Sequence, residues 1–155
     1  MADSSNPSTA AWQMRMAELA LSASCAEADE AADLLRELHE LLSDGQAPQV
    51  AARGVAVQPR RFEALLAADA CASAALLLIA GRASYMVSQG PGGRVMATVM
   101  LGGGTGEVSS EGADLALALT GALAEALGGA LNAALNQTGQ EERLVLRRPV
   151  GMRLN

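Results

Sequence analysis

At 155 residues and a formal net charge of −6, the chain has room for one domain with a substantial core, or for a small domain with a helical appendage, and not for two large domains. The acidic balance opposes nonspecific attachment to phosphate backbones, which depends on clustered cations. Every one of the 11 basic residues is Arg and there is a single His, so Schiff-base, phosphate-loop-lysine and multi-histidine chemistries lack their reagents.

Half of the residues are hydrophobic but only 2% are aromatic. The core must therefore be filled by Ala, Leu and Val in closely approaching helices. Cys25 and Cys71 stand far apart without C-x-x-C spacing, and no N-terminal segment has the basic-then-apolar pattern of a signal peptide. These features predict two free thiols in a reducing, cytoplasmic setting. The exclusive use of Arg and the heavy use of Ala point to a GC-rich bacterial source. Two stretches, Ala64–Gly81 and Leu115–Leu135, approach the length of a membrane span. The first carries Asp69 and the second Glu125 and Asn132, and both rely on Ala and Gly, so no membrane insertion is expected.

Residues 1–8 are polar and predict a disordered terminus. From Thr9 the spacing of Trp12, Met16, Leu19 and Ala23 places one apolar stripe on a helix. Ser24 with Glu27 reads as a capping box opening a second helix, whose apolar face is Leu34, Leu35, Leu38, Leu41 and Leu42, with Gly45 as a left-handed cap. The two stripes differ in phase, which predicts a helical hairpin, with a single long rod as the alternative. Residues 1–45 thus form a helical arm. Residues 46–59, with Pro48 and Gly54 and no helical period, read as a linker, and 60–155 as an α+β module with a basic tail.

Pro59 suits the first position of the next helix. In one continuous helix over Arg60–Ala80, Asp69 would share the face of Phe62, Leu65, Leu66 and Leu76, burying a carboxylate at a cost of several kcal/mol. A bend between Ala67 and Ala70, with Asp69 capping a second short helix, removes the conflict. A functional buried acid is the other reading. Strands follow at Ser84–Ser88, Arg94–Leu101 and Glu107–Ser110, joined by the Gly-rich turns at 89–93 and 102–106. The second strand is largely apolar on both faces and is expected to be central or covered on both sides, with Met96 and Met100 in the core. Leu115–Leu127 is apolar nearly all round and so predicts a buried helix, broken at Gly128-Gly129. Gln137–Gln140 reads as a loop, and Leu144–Leu146 as a fourth strand or an interaction arm.

The candidate motifs are weak. Gly102–Gly106 lacks the Gly-Lys-Ser/Thr of a phosphate loop, and Ser109 stands where the dinucleotide fingerprint needs Gly. His39 has no nucleophile or orienting carboxylate assigned to it, and one His with two scattered Cys supplies no metal cluster. No catalytic, cofactor-binding or metal-binding residues are assigned, and no cofactor is expected. The helix–three strands–helix order resembles the double-stranded RNA-binding domain, which implies an α+β sandwich. That family uses lysines at the start of its last helix, where this chain has Asp114-Leu115-Ala116-Leu117, so the likeness is one of element order.

The sequence therefore predicts an α+β fold: an N-terminal helical arm followed by an α-β-β-β-α module with a small antiparallel sheet. The missing catalytic inventory and the abundant apolar stripes predict a non-enzymatic interaction or assembly module that forms a homodimer and meets a protein partner. Trp12, Leu38, Arg147, Arg148 and Arg153 are its candidate contact residues. A small-ligand or regulatory binding domain, and a nucleic-acid role for the Arg-rich tail, are the alternatives.

Overall fold

The computed structural model describes residues 7–44, 47, 49–52, 54–104 and 106–146. The fold is α+β, with helices α1 (Pro7–Cys25), α2 (Ala31–Ser43), α3 (Gln49–Ala52), α4 (Pro59–Ala67) and α5 (Cys71–Ile79) preceding strands β1 (Ala83–Gln89), β2 (Val95–Leu101) and β3 (Glu107–Gly112), and a long α6 (Leu115–Leu146) following them. The sheet is an antiparallel meander in the order β1-β2-β3.

The N-terminal segment is a hairpin. Trp12, Met16, Leu19 and Ala23 are all buried, so the stripe read from the sequence faces inward. The turn is capped three residues later than Ser24 suggests, by a box of Glu27 with Glu30. The Ser24 hydroxyl donates back to the Leu21 carbonyl at 2.7 Å, while the Glu27 backbone N–H donates to the Glu30 carboxylate at 2.8 Å and opens a single 3-10 turn before α2. Within the stretch read as a linker, α3 forms a short helical turn with Ala51 buried. Gly45 and Pro48 lie outside the described residues.

Pro59 is the first residue of α4, where its missing N–H costs nothing. The chain bends at Asp69, as the conflict over its carboxylate requires, but Asp69 does not cap α5, whose N-cap is Ala70. It adopts the left-handed conformation, φ 56°. The Ala70 N–H bonds the Leu65 carbonyl at 2.8 Å and the Asp69 N–H bonds the Leu66 carbonyl at 3.1 Å, the paired bonds of a Schellman ending to α4. Its carboxylate is exposed, which removes the buried-acid reading.

Helix α6 is the axis of the core. Asp114 caps it, its Oδ1 accepting the Leu117 N–H at 2.8 Å. Nearly every residue from Ala116 to Leu127 is buried between the sheet on one side and α1, α2 and α5 on the other. The small residues expected from the composition permit close approach. A Cβ on Gly121 would stand 2.5 Å from the Ser110 Oγ and 3.5 Å from the Ala23 Cβ, so this glycine is where α6, β3 and α1 come closest. Contrary to the sequence reading, α6 does not break at Gly128-Gly129 but runs on to Leu146, so neither the loop at 137–140 nor a fourth strand at 144–146 forms. Each glycine weakens a helix by about 1 kcal/mol relative to Ala, too little to end one flanked by Ala and Leu and held by α1. By length and composition α6 alone among the described helices suits a membrane span, but its apolar window is 72% buried inside the chain's own fold.

Candidate interaction surface

Residues of β2 alternate between two environments. Val95, Ala97, Val99 and Leu101 are buried against α6. Met96 and Met100 project from the opposite face, 40% and 41% exposed, together with Met86 of β1 at 65%. The strand is central, as one of the two expected placements has it, but it is not covered on both sides, which corrects the placing of Met96 and Met100 in the core. All the helices that pack on the sheet lie on one face, so alternation turns the second apolar set to solvent. The open face carries Ser84, Met86 and Ser88 from β1, then Met96, Thr98 and Met100, then Glu107, Ser109 and Glu111 from β3. The Thr98 and Ser109 hydroxyls share a hydrogen bond of 2.7 Å across it.

The covering layer is also asymmetric. Helix α6 lies across β2 and β3, and α1 reaches β3, but no helix packs extensively on β1. Arg94 ties this covered side together, donating to the Ser24 carbonyl at 3.1 Å and pairing with Glu111 at 3.6 Å. On β1, Tyr85 and Val87 point to the same face as their partners Val99 and Ala97, yet stay 47% and 44% exposed. Strand β1 is therefore bare on both faces and along its outer edge.

The residues singled out from sequence lie elsewhere. Trp12 is buried, its indole Nε1 donating to the Leu41 carbonyl at 2.9 Å, and so it fastens α1 to α2. Leu38 is equally buried. Both stripes turn inward to meet α6, which leaves neither side chain presented as a surface anchor. Arg143 lies in the last turn of α6, and Arg147, Arg148 and Arg153 lie outside the described residues. His39 stacks on Phe62 with ring centroids 4.4 Å apart. Burial raises the Cys71 thiol above its ordinary value, with Asp69 and Asp114 adding to the shift and Arg36 opposing it, which keeps it protonated and a poor nucleophile. Burial also lowers the Arg82 guanidinium, which bonds the Ala51 carbonyl. Among the described residues no three His, Cys, Asp or Glu side chains gather in a metal-holding group.

Several concavities reach the size of a ligand site. A cleft of about 470 Å³ between α1 and α6 is lined by Gln13, Ala17, Leu21, Ala124, Gly128 and Asn132, among others, and the Gln13 amide bonds the Asn132 carbonyl across it. Its walls mix alanines, Leu21 and two glycines with the polar Gln13, Ser24, Ser110, Glu125 and Asn132. The Met face and bare edge were missed from the sequence because alternation in β2 was read as double coverage. The signal that could have found them is the uncharged, turn-bounded run Ala83–Gln89. No known protein-family model matches the chain, and no curated protein sequence or solved structure matches it significantly.

Proposed function

We propose that this chain is a non-enzymatic interaction module of the bacterial cytoplasm that works as a homodimer. The observation that carries the reading is the bare strand β1, with Tyr85, Met86 and Val87 all exposed beside the exposed Met96 and Met100. Adaptable methionines on an open face suit a protein partner, and an unpaired apolar edge suits a further strand. Unpaired Cys25 and Cys71 accord with a reducing compartment. Light scattering on the full chain over a concentration series tests it. The expected mass is twice the 15.8 kDa of one chain, and a single-chain mass at all concentrations overturns the proposal.

A second reading, a small-ligand or regulatory domain, is favoured by the α1–α6 cleft, whose volume falls in the range of ligand pockets. A metabolite that raises the melting temperature of the native chain, and loses that effect when Ala17→Leu fills the cleft, would establish it.

A further inference from the structure

We infer that the second copy pairs through β1, antiparallel and centred on Met86, to make one continuous six-stranded sheet. This deepens the homodimer reading and rests on it. The bonding phase of the hairpin fixes which groups are free. The Gly90 N–H donates to the Arg94 carbonyl and the Gly102 N–H to the Arg82 carbonyl, each at 3.0 Å. Hydrogen-bonded pairs alternate along an antiparallel ladder, so Ser84, Met86 and Ser88 spend their backbone groups on β2. The N–H and C=O groups of Ala83, Tyr85, Val87 and Gln89 then point outward along the edge.

Those four positions lie symmetrically about Met86. Pairing two copies around that point sets Ala83 against Gln89 and Tyr85 against Val87, twice each. With two hydrogen bonds per pair, about eight form across the junction. Centring on Tyr85 or Val87 loses one pair. Side chains match as well: Tyr85 meets Val87 on the helix side, an aromatic and β-branched pair, while Met86 meets Met86 and Ser84 meets Ser88 on the outer face. No charged residue lies between Ala83 and Gln89, and in this register Arg82 falls opposite Gly90, so no like charges oppose each other. The other sheet edge lacks this property. Pairing β3 with itself about its centre, Ser109, would set Glu107 against Glu111, acid against acid. Protective devices common on exposed edges, such as an inward charge, a proline or a bulge, are all missing from β1.

Disulfide trapping reads the register directly. The Met86–Met86 and Ser84–Ser88 positions are non-hydrogen-bonded pairs, with Cα atoms about 4.5 Å apart, close enough for a disulfide. In the full chain carrying Cys25→Ser and Cys71→Ala, Met86→Cys should give a covalent dimer on mild oxidation. Ser84→Cys and Ser88→Cys should each stay single alone and cross-link when mixed. Val87→Pro removes an outward N–H while sparing the bonds to β2, and should weaken dimerisation about 100-fold with the circular dichroism of the fold retained. A dimer by light scattering that Met86→Cys does not trap, or that Ser84→Cys traps by itself, overturns this interface and leaves the homodimer standing. A chain that stays single at all concentrations leaves the edge to a strand from another protein and overturns both.

Discussion

Strands β1 and β2 are both seven residues long and lie side by side in one sheet, yet they belong to different parts of the molecule. Val99 in β2 is fully buried. Val87 in β1 points to the same face and is nearly half exposed. Residue type and face are the same, so the difference comes from position: β2 is the central strand and is crossed by α6, whereas β1 is an edge strand that α6 does not reach under. Covered strands contribute stability, and the uncovered strand is left free for pairing.

The largest expected effect is on the covering helix. Leu123→Ala, fully buried in α6, should lower the unfolding free energy by about 3 kcal/mol in denaturant titrations. A loss below about 1 kcal/mol would mean that the covered half is loosely packed and the contrast false. The sharpest comparison uses the two valines. Val99→Ala should cost about 2 kcal/mol, while Val87→Ala in dilute protein should cost no more than about 0.5 kcal/mol; equal losses would break the distinction between the strands. Trp12→Phe keeps an aromatic ring but deletes the hydrogen bond to the Leu41 carbonyl, and should cost about 1 kcal/mol by thermal unfolding. The smallest effect is a matter of pH. The native fold raises the Cys71 thiol, so it holds that proton more tightly than the unfolded chain does. The resulting stabilisation is present below the ordinary thiol range and is lost as pH rises through the raised value. Relative to Cys71→Ala, the native chain should therefore lose stability as pH rises from neutral through the thiol range. In thiol labelling at neutral pH, exposed Cys25 should react first.

Much of the architecture was legible in the residues. The stripe Trp12, Met16, Leu19 and Ala23 gave the buried face of α1, Pro59 gave the start of α4, and the cost of burying Asp69 gave the bend before α5. The meander was legible from three short strand-like runs, the third of them polar, separated by Gly-rich turns. What the residues did not reveal is coverage. Alternation in β2 assigns Met96 and Met100 to one face and Val95, Ala97 and Val99 to the other, but whether a second layer lies over a face depends on where distant helices settle. The same reason hid the fate of Trp12 and Leu38, since an apolar stripe looks alike whether it meets its own chain or another. Gly128-Gly129 misled for a different reason: intrinsic propensity was weighed alone, and the packing of α1 against α6 outweighs it.

The pairing of α1 with α6 also bears on how the chain is made. Leu19 and Leu123 belong to the same core cluster although about a hundred residues separate them. At roughly 5–20 residues per second, a ribosome releases α1 some 5–20 s before α6 emerges. Throughout that interval Trp12, Met16 and Leu19 have no α6 to cover them and only the leucines of α2 for company. The N-terminal hairpin is thus a part of the nascent chain in need of a chaperone's shelter, and the emergence of α6 ends that need.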